Sequence, residues 1–199
     1  MRDPGKLILL NGTLCSGKTA IATALQSLLA ESYLTVRIEH FLSHPPAGAR
    51  PDVATVLDVQ QAANLHHTIL ALTSAGHNVI AEHTLLDPAW LQDCATQLEG
   101  LTPLFVGVRC PLAVAEQRAT SVGCRQVEQV REQFARVHAH GVYDLEVDTS
   151  VLSPAECAAQ IQHRLQTGPA PQALTLLRAK NVLAQDFAAL DFPPRYEGY

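Results

Sequence analysis

The chain has 199 residues, 47% of them hydrophobic and 17% charged, with a formal net charge of −5. That is enough chain for one domain with a sizeable core, and it is too apolar for a disordered one. The acidic balance speaks against a nucleic-acid partner, which asks for a basic surplus, and no apolar run reaches the ~18 residues of a bilayer span.

Met1–Lys6 lead into an apolar run shorter than a secretory leader requires, so a cytoplasmic protein without a membrane partner is expected. Lys6–Leu10 reads as a short buried strand. Lys18–Ala30 reads as a helix with Ile21, Leu25, Leu28 and Leu29 on one face. Thr35–Glu39 is a second strand, and "HFLSHPPAGARPDVA", His40–Ala54, with its three prolines is a loop. Asp58–Ser74 is helical and Gly76 is placed to end it. Asn78–Glu82 is a third strand, and Pro88–Leu98 a helix with proline in its first turn. Thr102–Cys110 is the longest strand candidate. Leu112–Val122 and Val127–Ala139 are helical, with "GCR" between them. Leu145–Thr149 is a fifth strand. Ser153-Pro154-Ala155-Glu156 is a capping box that opens a helix to about Gln166. "TGPAP", Thr167–Pro171, reads as a linker, and Gln172–Leu190 is one more amphipathic stretch.

Strands and helices alternate, the pattern of a mostly parallel sheet covered on both faces. The expected fold is α/β, with a five-stranded parallel sheet over residues 1–167 and a tail over 168–199 that docks on the domain or binds a partner. A homo-oligomer stays open.

Gly12-Thr13-Leu14-Cys15-Ser16-Gly17-Lys18-Thr19 fits GxxxxGK(S/T), and it lies between a predicted strand and a predicted helix. Glycines let successive N–H groups turn inward as an anion nest, and the helix N-terminus adds positive potential. Lys18 supplies a point charge for the outer phosphates of a nucleotide, and Thr19 a hydroxyl ligand for magnesium. Cys15 inside this loop is either a small filler or a thiol whose pKa is lowered by the amides and Lys18. The other four cysteines, Cys94, Cys110, Cys124 and Cys157, form no CxxC, so neither a disulfide framework nor a zinc site is suggested. Among nine histidines, His66-His67 and His138/His140 have no partner cluster, and a metal role is not expected.

A phosphate loop alone does not separate a switch GTPase from a motor or a kinase. No NKxD-type guanine motif has the right context here. Glu39 ends the second predicted strand, where ligands of a doubly wound sheet bind, and a carboxylate there can take the proton of an attacking hydroxyl. Arg118, Arg125, Arg131 and Arg136 follow the fourth strand and could close over a triphosphate as a lid; each alone could equally face solvent. Glu82 could orient magnesium through water, contact the substrate, or be a surface carboxylate.

"FVGVRCPLAVAEQRA", Phe105–Ala119, "VHAHGVYDLEVDTS", Val137–Ser150, and the phosphate loop resemble the chloramphenicol phosphotransferase family over most of residues 6–165. The resemblance implies a P-loop kinase of nucleoside-monophosphate-kinase type that phosphorylates a primary hydroxyl of chloramphenicol with ATP and Mg2+. It implies Lys18 and Thr19 as phosphate and magnesium ligands, Glu39 at the place of the family's aspartate base, Arg125 as a lid arginine, and His138 near the family's histidine. Two departures stand out. The base is Glu rather than Asp, and "SVGCR", Ser121–Arg125, carries Val122 where the family's ARGDR has an arginine.

The expected activity is an ATP-dependent O-phosphotransferase acting on a small hydroxyl compound, chloramphenicol or similar. Lys18, Glu39 and Arg125 carry the chemistry, the 12–19 loop with Arg118 and Arg125 holds the nucleotide, and Thr19 and Glu82 hold the metal. The alternatives are a kinase for another hydroxyl metabolite or nucleoside, a non-kinase ATP-binding regulator acting through its tail, and, more weakly, a nucleic-acid kinase.

Overall fold

The computed structural model describes residues 3–41, 59–121 and 124–179, with backbone alone at 39, 41, 59–61 and 124–126. The expected loop from residue 42 on, Val122, and the end of the tail from residue 180 lie outside the described residues. The strands are β1 Leu7–Asn11, β2 Tyr33–Arg37, β3 Asn78–His83, β4 Leu104–Arg109 and β5 Leu145–Asp148. The helices are α1 Lys18–Leu28, α2 Val59–Ser74, α3 Pro88–Gln97, α4 Leu112–Thr120, α5 Cys124–Phe134, α6 Pro154–Thr167 and α7 Ala173–Ala179. All strand pairs are parallel, in the order β2-β3-β1-β4-β5. The α/β fold with a five-stranded parallel sheet is therefore the one expected.

The central strands read as continuous apolar runs because both of their faces are buried. Leu7, Leu9, Val79, Ala81 and Phe105 face one layer, made by α2, α3 and α7. Ile8, Leu10, Ile80, Leu104, Val106 and Val108 face the other, made by α1 and α6. The connection from β1 runs to one side of the sheet, and β4 lies on the other side of β1. The carboxyl end of β1 is thus a switch point, where a crevice opens.

Several boundaries moved for local reasons. Residue Gly76 adopts φ 88° and ends α2 as expected. The capping box at Ser153 is complete, its side chain and that of Glu156 each satisfying the other's backbone N–H. The second strand begins earlier than expected, at the buried Tyr33, and stops at Arg37; Ile38–Phe41 forms a 3-10 turn. Glu39 is therefore in that turn and not in a strand. Helix α5 starts at Cys124, so part of "GCR" is helix rather than separator.

The tail helix α7 buries Ala173, Leu174 and Leu177 in the core layer shared with α3. Asp144 Oδ1 accepts the N–H groups of Gln172 and Ala173 at 2.7 and 3.1 Å, while its Oδ2 accepts Phe105 N–H at 3.0 Å. One carboxylate thus ties β4 to the first turn of α7.

Gly107 sits in β4 under the ring of Tyr143. A Cβ built there would lie 2.9 Å from two ring carbons. The motifs "VGVRC" and "YDLEVDT" are thus one packing unit, since the aromatic ring occupies the space a side chain would take. Gly107→Ala is expected to destabilise the fold by about 1–3 kcal/mol in denaturant unfolding, because overpacking forces ring or strand to shift. The cost should shrink in a Tyr143→Leu background; an equal cost there would contradict the steric cause.

Candidate active site

The chain leaves β1 at Asn11 and enters α1 at Lys18 through a loop with two left-handed residues. Cys15 has φ 61° and Gly17 φ 100°. Cys15 is the non-glycine residue with positive φ among the described residues, a conformation that costs energy and clusters at ligand sites. No side chain caps the N-terminus of α1, so its first N–H groups have no partner from a capping side chain and the end keeps its positive potential. The Lys18 ammonium folds back into the loop and donates to the carbonyls of Gly12 and Thr13 at 2.7 and 2.8 Å. The side chain of Lys18 is buried and that of Thr19 exposed.

Glu82, near the end of β3, is buried at 2% exposure, so it is not a surface carboxylate. Thr19 Oγ1 donates to Glu82 Oε2 at 2.6 Å. A hydroxyl and a carboxylate from different elements thus meet beside Lys18. Cys15, Lys18, Thr19, Glu82 and Arg118 line a cavity of about 270 Å3 there. A cavity of about 320 Å3 lies at the opposite ends of the strands, between Lys6, Leu101 and Arg164, away from these groups. Arg37 is the register partner of Glu82, so the turn that carries Glu39 leaves the sheet from the same edge. The side chains of Glu39 and Arg125 lie outside the described residues.

The other arginines differ in their engagements. Arg118 bonds Thr149 Oγ1 at 2.9 Å, Thr149 O at 2.8 Å and Cys15 O at 3.3 Å, so it clamps the phosphate loop to the end of β5 while lining the cavity. Arg131 pairs with Glu116 across α4 and α5 on an exposed surface, and Arg136 is exposed. From α5, Gln133 Oε1 accepts the Leu14 N–H at 2.8 Å, which joins the helix pair after β4 to the loop. The Cys15 thiol is pushed up by burial, which outweighs the lowering by Lys18 and Arg118. This corrects the alternative in which the loop activates the thiol.

Two buried polar networks behind the loop escaped the sequence reading. Asn11 donates to Tyr143 Oη at 2.8 Å and to Val137 O at 2.9 Å, and accepts Leu85 N–H at 2.8 Å. His138 Nδ1 meets the same phenol at 2.6 Å. In the second network His66 Nδ1 lies 2.6 Å from Asp93 Oδ2, and His66 Nε2 lies 3.0 Å from His83 Nε2. Asn11 is joined in this way to residues 74 to 132 positions away, and His66 to residues 17 and 27 positions away, and no local motif announces either. The one available signal was polar residues at core positions of strands and helices. Among the described residues no group of three or more His, Cys, Asp or Glu side chains is arranged to hold a metal ion, and no helix is long and apolar enough to cross a membrane.

The model of the family described as chloramphenicol phosphotransferase-like protein matches residues 5–166. The chain belongs to the chloramphenicol phosphotransferase-like family. It is 30% identical over 201 aligned positions to proteins named "Putative O-phosphotransferase" in two Mycobacterium tuberculosis strains, covering 88% of this chain and 89% of theirs. In fold it is similar to the Mycobacterium tuberculosis APS kinase CysC, solved with AMPPNP and APS, at 18% identity and TM-score 0.67, over 83% of this chain and 100% of that one. It is also similar to a Sinorhizobium meliloti gluconokinase at 16% identity and TM-score 0.57, over 93% and 99%. This family member is a phosphotransferase of P-loop kinase type, an enzyme of the small-molecule kinase kind.

Two buried histidines, His66 and His83, and two half-buried ones, His138 and His140, make its stability pH-dependent. Burial lowers His66 and, more strongly, His83. It is also the largest cause lowering His138 to about 3 and His140 to about 4, with the positive charge of Arg109 adding to both. In the unfolded chain each takes a proton near pH ~6.5. Below that pH the unfolded state binds more protons than the folded one, so stability is lost as pH falls toward the folded values. Melting temperature is expected to drop steadily from about pH 6.5 to about pH 4.5, above and into the range where carboxylates begin to titrate. A flat profile between about pH 7 and about pH 5 would contradict neutral imidazoles at these four positions.

Proposed function

We propose that this protein transfers the γ-phosphoryl group of ATP to a hydroxyl of a small molecule, chloramphenicol or a compound similar to it. The observation that carries the reading is the meeting of Thr19 and Glu82 at 2.6 Å beside Lys18, at the mouth of an uncapped helix. Two hard oxygen donors on neighbouring elements suit Mg2+, which prefers one or two protein oxygens plus phosphate and water. The left-handed turns at Cys15 and Gly17 suit an anion nest for the outer phosphates. The residues present therefore fit both ATP and magnesium.

When bound, magnesium neutralises charge on the phosphate oxygens. The chain's own groups do the remaining work. The loop amides and Lys18 hold the outer phosphates, and Lys18 gives up its carbonyl partners to do so. Arg118 fixes the loop's geometry from behind, and Arg125 on α5 covers the transferring group. Glu39 accepts the proton of the acceptor hydroxyl. The hydroxyl oxygen bonds to the γ-phosphorus as the bond to the bridging oxygen of ADP breaks. Catalysis is then positioning plus electrostatics. The cytoplasm, where ATP is available, is the compartment this activity needs, and phosphorylation of an antibiotic hydroxyl would be a resistance function.

The test is ADP release with ATP, magnesium and a panel of hydroxyl compounds that includes chloramphenicol. Lys18→Ala should lower acceptor-stimulated release by about 100-fold or more. Glu39→Gln should lower turnover about 100-fold with ATP binding retained. An unaffected rate in Glu39→Gln removes Glu39 as the base. Release that no compound stimulates, but that truncation after residue 179 alters, would favour an ATP-binding regulator; the cut spares α7, whose residues belong to the core.

A further inference from the structure

The Asp93–His66–His83 network admits one order of protons. The Thr84 N–H donates to His83 Nδ1 at 2.8 Å, so that nitrogen carries no proton. A neutral His83 then holds its proton on Nε2 and donates it to His66 Nε2 at 3.0 Å. His66 in turn carries its proton on Nδ1 and donates to Asp93 Oδ2 at 2.6 Å. Both rings are fully buried, and Asp93 on α3 is the partly exposed end. A second proton on His66 would set two N–H groups against each other across the 3.0 Å contact, and a second proton on His83 would oppose the Thr84 N–H at 2.8 Å. The chain of donors is therefore a strut of defined polarity, running from α3 through α2 to the turn after β3.

The strut ends on the phosphate loop. Thr84 Oγ1 donates to the Gly12 carbonyl at 3.1 Å, and the same oxygen accepts Lys18 Nζ at 2.7 Å. The Gly12 N–H donates to His83 O at 3.4 Å. Gly12 is buried, so its carbonyl depends on protein partners. One carbonyl thus serves two donors through its two lone pairs, and one donor is the ammonium expected to turn to a phosphate.

We propose that Thr84, oriented by Asp93, His66 and His83, is a positioning residue for nucleotide binding: its hydroxyl keeps the Gly12 carbonyl satisfied when Lys18 leaves it for a phosphate. This rests on the reading of the loop as an ATP site. Thr84 touches no reacting atom. It lowers the cost of the bound state, because a buried acceptor left bare is costly. The strut also links α2 and α3 to the phosphate loop, so a change at Asp93 is felt at Gly12.

The experiment has two arms. In the first, MgATP affinity is measured by calorimetry for the wild type, Thr84→Val, Thr84→Ser, Asp93→Leu and Asp93→Asn. Thr84→Val should weaken binding about tenfold and Thr84→Ser should restore it, since the serine keeps the hydroxyl. Asp93→Leu should weaken binding by about threefold and Asp93→Asn, which keeps an acceptor oxygen, should hold near wild type. In the second arm, melting temperatures of Thr84→Val, Lys18→Met and the double variant are compared without nucleotide. Thr84→Val should cost more in the Lys18→Met background, because the carbonyl then loses both donors. Wild-type binding of MgATP with unchanged affinity in Thr84→Val would overturn the proposal, and so would additive melting shifts. A wild type that does not bind MgATP would overturn the ATP reading and the role of Thr84 in binding with it, while the melting arm would still report on the shared carbonyl.

Discussion

A buried ammonium governs the carboxyl edge of this sheet. Lys18 holds the carbonyls of Gly12 and Thr13 at 2.7 and 2.8 Å. Those bonds draw the loop around its own lysine, with left-handed turns at Cys15 and Gly17. A carbonyl is a weaker partner than a phosphate for a desolvated charge, so the arrangement is one that an anion can displace. The neighbouring groups suit that exchange. Thr19 and Glu82 sit side by side at the mouth, and Arg118 holds the loop from behind through Cys15 and Thr149.

The remainder of the molecule keeps this edge rigid. Asn11, the last residue of β1, is held by Val137, Tyr143 and Leu85. Tyr143 lies against Gly107 and Phe105 on one side and His138 on the other. The Thr84 hydroxyl and the Gly12 N–H close the turn after β3 onto the loop. Asn11, Gly12 and Thr84 are buried and satisfied by partners far away in the chain, so the cost of breaking one contact falls on its neighbours. In such a frame a small displacement of α2 or α3 is not absorbed locally.

The sequence made legible what is written locally. The phosphate loop is eight consecutive residues between a strand and a helix, and the turn, the charge and the helix end all follow from them. The central strands were legible because burial on both faces leaves unbroken apolar runs. Caps were legible because Ser153, Glu156 and Gly76 act on residues within a turn of themselves. The edge of β2 was not, since an edge strand's ends depend on its one neighbour; pairing with Asn78–Glu82 begins it at Tyr33 and ends it at Arg37. The histidines were less legible still. His66, read with His67 as lacking a partner cluster, meets His83 only once α2 packs on β3. The roles of Arg118 and Gln133 were equally hidden, because each acts on backbone atoms of a loop more than 100 residues away.

The account turns on Lys18 exchanging carbonyls for phosphate. A crystal structure with a non-hydrolysable ATP analogue and magnesium tests it most directly. The account predicts the outer phosphates against the 12–19 loop, Lys18 Nζ moved from the Gly12 and Thr13 carbonyls onto phosphate oxygens, Thr84 Oγ1 still on Gly12 O, and the metal beside Thr19 and Glu82. Phosphates bound away from this loop, or Lys18 still on both carbonyls with nucleotide in the cavity, would contradict it.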